Sequence, residues 1–248
     1  MSELEVHRTE SEGWLSNAYL VVGGEPGARR GVLIDGNGLP GPLLERVEAE
    51  DVAIEAILLT HHHADHVDID AYRRLGAPLL GHAATGELAG LRLDRTLADG
   101  EILQLAGLRI EALHTPGHAR DHIAYLVGDT DCFTADVLFR GTVGGTRAPG
   151  ATGLGDLRAS VARLLALPPE TVLHPGHRAP TTVARERDGN PFVRAWRDAP
   201  PAGEPCTVGG APAELLLWGP DYDGTHKAWV RFPDGVEHVV GGSQLGRA

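Results

Sequence analysis

Residues 60 to 66 read Thr-His-His-His-Ala-Asp-His and follow an apolar run, Ala53 to Leu59, with the pattern of a buried strand. Four metal-binding side chains, His61, His63, Asp65 and His66, therefore stand where a strand gives way to a turn. On a strand, side chains two residues apart point the same way, so His61 and His63 converge on one point. The turn then carries Asp65 and His66 toward a second point nearby. Imidazole and carboxylate at this density suit zinc or iron, whereas magnesium and calcium favour all-oxygen shells. A purification-tag fragment would lie at a terminus rather than behind a buried strand. The cluster reads as a metal site.

The chain of 248 residues is long enough for one large domain, or one domain and a small appendage. Its 42% hydrophobic and 23% charged residues are those expected of a soluble globular protein. No apolar stretch approaches the roughly 20 residues that span a bilayer, and the N-terminus shows no signal-peptide pattern. Cys132 and Cys206 give no disulfide framework, and Cys132 reads as a small core residue. Cytoplasm is the default expectation, with no membrane partner. The net charge of −12 and the absence of any Lys/Arg run argue against a nucleic-acid partner.

Along the chain, strands are expected at 4–6, 18–22, 31–35, 53–59, 77–81 and 171–173. Hairpins are expected over 101–113 and 123–134. Helices are expected at 42–50, 69–75 and, most clearly, 157–167, where Pro168-Pro169 stops the helix. Strands interspersed with helices imply an α/β (α+β) architecture with helices covering sheets. Residues 199–205 (Ala-Pro-Pro-Ala-Gly-Glu-Pro) read as a linker. Beyond it, 213–218, 227–232 and 236–240 read as three strands joined by Asp-Tyr-Asp-Gly and Pro-Asp-Gly turns. The division expected is a domain over 1–198 and a strand-rich appendage over 199–248. A meander of about 40 residues is too small to stand alone and should pack on the main domain or a partner.

Three later stretches place further donors at strand ends: His114-Thr-Pro-Gly-His118, Cys132-Phe-Thr-Ala-Asp136 and His174-Pro-Gly-His177. In this order the motifs resemble the metallo-β-lactamase fold superfamily over about residues 4 to 197. Phe133-Thr-Ala-Asp-Val-Leu-Phe139, Gly141-Thr-Val-Gly144 and the segment from His174 through Pro180-Thr-Thr182 to Asn190-Pro-Phe192 are similar to its glyoxalase II-like hydrolases. The resemblance implies an αββα sandwich with a metal site at one edge. It also implies one metal on His61, His63 and His118, a second on Asp65, His66 and His177, and Asp136 bridging both. Asp35 and Asp121 are candidates to orient ligand imidazoles. His62 alternates away from the ligands, and His114 and His174 read as structural. His122 and Arg147 are candidate substrate contacts.

The chemistry implied is hydrolysis of a small thioester or ester by water activated between two zinc ions, with iron at one or both positions as the alternative. Asp65, besides ligating, would handle the proton. The chain departs from those hydrolases at Ala135-Asp136, at Gly144-Gly-Thr-Arg147, and in carrying a strand-rich tail where they carry a helical domain. A generic small-molecule thioester or ester is therefore expected over S-lactoylglutathione. Three competing readings remain. One is a mononuclear iron persulfide dioxygenase using His61, His118 and Asp136. The others are a nuclease or phosphodiesterase, and a non-enzymatic metal-binding scaffold. The tail would shape the pocket, contact a second copy in a homodimer, or bind a partner.

Overall fold

The strand Asn17–Gly23 is buried at every position, which requires cover on both its faces. Tyr19 and Val21 project into one apolar cluster and Ala18, Leu20 and Val22 into another, as a period of two demands. The computed structural model describes residues 4–24, 28–197 and 202–247. In it, the strand belongs to a six-stranded sheet ordered Glu5–Glu10, Asn17–Gly23, Arg30–Ile34, Ala53–Leu58, Leu79–His82, Arg95–Leu97. A second six-stranded sheet runs Thr181–Thr182, Val172–Pro175, Asp131–Ala135, Ile123–Val127, Leu108–His114, Glu101–Leu105.

The sheets face each other across Tyr19, Val32, Leu58, Ile110, Tyr125 and Phe133. Helix Gly41–Ala49 covers the outer face of the first sheet through Leu43, Leu44 and Val47. Helix Leu154–Leu165 covers the second through Leu157, Val161 and Leu164. The order helix, sheet, sheet, helix is the αββα sandwich expected.

The differences have local causes. The clearest helix starts at Leu154, one turn earlier than its periodic segment, because Leu154 joins the same buried stripe. The helix expected at 69–75 shrinks to Asp70–Arg73. Helices Ala83–Ala89, Val183–Gly189 and Pro191–Arg197 were not expected, since seven residues make too few turns to reveal a period. Their caps are nonetheless present: the Thr182 hydroxyl accepts from Arg185 N–H at 3.3 Å and Asn190 Oδ1 from Phe192 N–H at 3.0 Å.

Among its described residues the tail holds five strands where three were expected, ordered Glu237–Gly241, His226–Arg231, Ala211–Pro220, Glu204–Val208, Leu245–Arg247. The strand Glu204–Val208 begins inside the proline-rich stretch. Its pairing with the last strand starts only at Cys206, so Pro205 needs no N–H on that side. Residues 199–201 of the expected linker, and the division at 198/199, lie outside the described residues. Leu216, Trp229 and Val239 of the tail share an apolar cluster with Leu157, Phe192 and Val193. No helix among the described residues is long and apolar enough to cross a membrane.

Candidate metal centre

Strand Ala53–Leu58 stops before the His-rich segment, so His61 and His63 stand on a loop rather than on the strand itself. The alternation persists. His61 Nε2 and His63 Nδ1 lie 3.0 Å apart, while His62 turns away to Asp121 Oδ1 at 2.8 Å. Asp35 ends the adjacent parallel strand in a left-handed conformation, φ 57°. Its carboxylate accepts from Thr60 N–H at 2.8 Å, from Thr60 Oγ1 at 2.7 Å and from His66 Nδ1 at 3.0 Å.

The other donors arrive from the second sheet. His118 follows strand Leu108–His114, Asp136 follows Asp131–Ala135, and His177 follows Val172–Pro175. The glycines of the two Pro-Gly-His turns are packing requirements. A Cβ on Gly117, which has φ 133°, would meet the Leu157 backbone at 2.4 Å; one on Gly176 would meet Asp136 Oδ1 at 2.1 Å.

These elements bring together all seven residues singled out as ligands. One ligand atom from each of His61, His63, His118 and Asp136 lies within 4.8 Å of the others, and the same holds for Asp65, His66 and His177. Asp136 touches both sets. Its Oδ2 is 3.5 Å from His118 Nε2 and 3.4 Å from His177 Nε2, and its Oδ1 is 3.4 Å from His66 Nε2. Asp65 Oδ2 is 3.5 Å from both His66 Nε2 and His177 Nε2.

The hydrogen-bond network assigns the protons. Thr60 gives its only hydroxyl proton to Asp35, so at 3.0 Å it accepts from His61 Nδ1. His63 Nε2 donates to the Pro149 carbonyl at 3.0 Å, and His118 Nδ1 to the Gly145 carbonyl at 2.8 Å. In their neutral forms these imidazoles face one another with bare nitrogens. His63 Nδ1 is 3.0 Å from His61 Nε2 and 2.9 Å from His118 Nε2, with no proton between them. Ligand nitrogens about 2.0–2.1 Å from a tetrahedral zinc would lie roughly 3.3 Å apart, so this spacing suits a shared cation. In the second set, His66 Nε2 and the facing Asp136 Oδ1 are buried with no hydrogen-bond partner among the described residues. The residues fit a divalent metal, and the His/Asp cluster suggests one.

Electrostatics agree. Burial, with His66 nearby, holds His61 well below the usual imidazole range, and burial takes His118 down to about 4. Burial opposes the charge of Asp136, but His177 and His66 outweigh it and hold the carboxyl well below the usual range. Burial also works against a proton on His66, yet Asp136 and Asp35 together raise its affinity well above the ordinary value.

One of the two expected substrate contacts, His122, needs correction. His122 is fully buried and both its ring nitrogens are used, Nδ1 on Thr115 Oγ1 at 2.8 Å and Nε2 accepting from Asp136 N–H at 3.2 Å. It holds the Asp136 backbone and has nothing to offer a substrate. Arg147 is exposed, its guanidinium 5.2 Å over the Phe232 ring, and among the described residues no contact joins it to the seven donors. Asp121, a candidate to orient a ligand, instead holds His62 and accepts from Thr85 Oγ1 at 2.8 Å. Asp35 does reach a donor imidazole. His114 and His174 serve the scaffold, on the Arg120 carbonyl at 2.9 Å and Asp131 at 2.7 Å. Burial keeps the Cys132 thiol protonated, pushing it up to about 12.

Sequence reasoning missed Tyr222, which stacks on His177 with centroids 4.1 Å apart. It also missed the backbone carbonyls of Gly145 and Pro149. A tyrosine in an Asp-Tyr-Asp-Gly turn and two carbonyls carry no local signal of a metal centre.

Comparison with known proteins agrees with this geometry. Residues 12–67 match the family model described as the metallo-beta-lactamase superfamily. The chain is 36% identical over 173 residues to a hydroxyacylglutathione hydrolase of Acidiphilium cryptum, covering 68% of this chain and 69% of that protein. The solved structure of ETHE1 from Myxococcus xanthus is similar, with TM-score 0.67 and 29% identity over 76% of this chain and 84% of that one. TTHA1623, solved in a di-iron-bound form, gives TM-score 0.62 and 37% identity over 75% of this chain and 99% of that one. The chain belongs to the metallo-β-lactamase superfamily, in its glyoxalase II-like branch.

Proposed function

We propose that the protein is a dinuclear metallo-hydrolase of a small thioester or ester. The observation that carries this reading is the convergence of bare imidazole nitrogens and carboxylates in two sets that share Asp136. His61, His63 and His118 would hold one divalent ion, Asp65, His66 and His177 the other, and Asp136 both. Zinc suits this mixed nitrogen and oxygen donor set. When bound, such ions supply Lewis acidity and bring the pKa of a water toward neutrality.

The chain's own residues do the rest. Asp65, partly exposed where Asp136 is buried, accepts the proton of the attacking water and returns it to the leaving thiolate or alkoxide. The Asp35–Thr60 network holds His61 and His66 in the tautomers that face the centre. His122 holds the backbone of Asp136. The hydroxyacylglutathione hydrolase relative supports thioester hydrolysis as the reaction class.

A second reading, oxygenation of a persulfide at one iron held by His61, His118 and Asp136, is supported by the similarity to ETHE1 from Myxococcus xanthus. Zinc-loaded protein should hydrolyse a small S-acyl thioester, and His61→Ala or Asp136→Ala should abolish turnover. Unchanged turnover in either variant refutes the site. A single iron per chain with oxygen uptake on a persulfide replaces the first reading with the second.

A further inference from the structure

Imidazoles that bind metals are normally oriented by a hydrogen bond from the other ring nitrogen. His61, His63, His66 and His118 each have one, to Thr60, Pro149, Asp35 and Gly145. His177 does not: its Nδ1 is buried and has no hydrogen-bond partner among the described residues. What contacts the ring instead is Tyr222 of the C-terminal sheet, stacked on it with centroids 4.1 Å apart and planes at 14°. Phe139 closes the corner, 5.7 Å from His177 and 5.1 Å from Tyr222.

Tyr222 is itself held in place. Arg178 Nε donates to its carbonyl at 3.3 Å. Lys227, buried despite its charge, binds Asp221 Oδ1 at 2.9 Å and the Val143 carbonyl at 2.8 Å. Its ammonium lies 5.2 Å from the centres of both the Tyr222 and Phe139 rings. Removing one partner of a buried ion pair is costly, so this clamp fixes the turn that carries Tyr222.

The same sheet reaches the other set of donors. Val239, in strand Glu237–Gly241, accepts from Thr146 N–H at 2.9 Å and donates its own N–H to Thr146 Oγ1 at 2.9 Å. Thr146 follows Gly145, whose carbonyl orients His118.

We propose that the C-terminal sheet is a working part of the metal centre, with Tyr222 fixing the His177 ring and Val239, through Thr146 and Gly145, fixing His118. Tyr222 and Thr146 are positioning residues, one for each set of donors. This rests on the two-metal reading above, and its test does not depend on turnover.

Metal-free full-length protein is titrated with cobalt(II), read by visible absorption and by competition with a chelator. His177→Ala and His118→Ala identify which binding step belongs to which set. Tyr222→Ala should weaken the His177 step on the order of tenfold and alter its absorption bands, leaving the His118 step unchanged. Tyr222→Phe, which keeps the ring, should restore it, and Thr146→Val should weaken the His118 step. Tyr222→Leu repeats the test with most of the side-chain volume kept, should the alanine variant fail to fold.

Wild-type affinity at both steps in the Tyr222→Ala or Tyr222→Leu variant overturns the proposal. A Tyr222→Phe variant as weak as Tyr222→Ala also overturns it. If wild-type protein binds two cobalt ions but cleaves no thioester, the hydrolase reading fails while the Tyr222 result still decides this one. If His177→Ala alters no step, both fail.

Discussion

Asp35 shows how much one side chain controls. Its carboxylate takes three hydrogen bonds, two from Thr60 and one from His66, and so sets the tautomers of a donor in each set. In Asp35→Asn one oxygen becomes an NH2 that cannot accept, and one of these bonds turns repulsive. Metal affinity should fall on the order of 10- to 100-fold, measured by chelator competition. Protonation gives a second prediction at this scale. Burial holds His61, His118 and His122 below the ordinary imidazole range of the metal-free chain, whereas neighbouring carboxylates raise His66. Below about pH 6.5 the unfolded chain binds three protons that the fold resists, His118 down to about pH 4 and His61 and His122 because burial disfavours their charge. His66 acts oppositely, its stabilisation being present below that pH and lost as pH rises through its folded value. His66 is protonated in both states below about pH 6.5 and adds no slope there, so the balance is about three protons and the stability of metal-free protein should fall by up to about 4 kcal/mol per pH unit on acidification. Denaturant unfolding at pH 7 and pH 5 checks this, and a flat profile would contradict it. The donors were legible at this scale because each stands in a short motif at a strand end. Tyr222 was not, because its role exists only where two distant segments pack.

At the scale of elements, the two sheets present their donors from loops at strand ends, and glycine makes the close approaches. Gly176→Ala would put a Cβ 2.1 Å from Asp136 Oδ1, so the shared carboxylate or its loop must move. A displacement near 1 Å is expected to lower kcat about 100-fold. Gly155, inside helix Leu154–Leu165, has open space around it, and Gly155→Ala should instead stabilise the fold by roughly 0.4–1 kcal/mol with activity kept. Comparing kcat and unfolding free energy in the two variants separates a glycine needed by the site from one that is not. The long strands and the amphipathic helix were legible because periods of 2 and 3.6 repeat within them. The seven-residue helices before and after Asn190 were not, because their position is set by caps and by packing of Val183, Phe192 and Val193.

At the scale of the molecule, the tail shares its core with the sandwich. Trp229 is buried between helix Leu154–Leu165 and the rest of the C-terminal sheet, its indole N–H on Glu237 at 3.0 Å. Trp229→Ala should cost about 3–5 kcal/mol, read by chemical denaturation. If the tail folds on its own, the loss will appear as a separate transition rather than a shift of the main one. The proline-rich stretch and the change of composition pointed to an appendage, but a pattern of short strands carries no information about the surface they dock on. The proposed centre has seven side chains holding two divalent ions that share Asp136. Anomalous diffraction from crystals of zinc-loaded protein tests it directly. Two peaks are expected, one among His61, His63 and His118 and one among Asp65, His66 and His177, both in contact with Asp136. A single peak, or none among these residues, would contradict it.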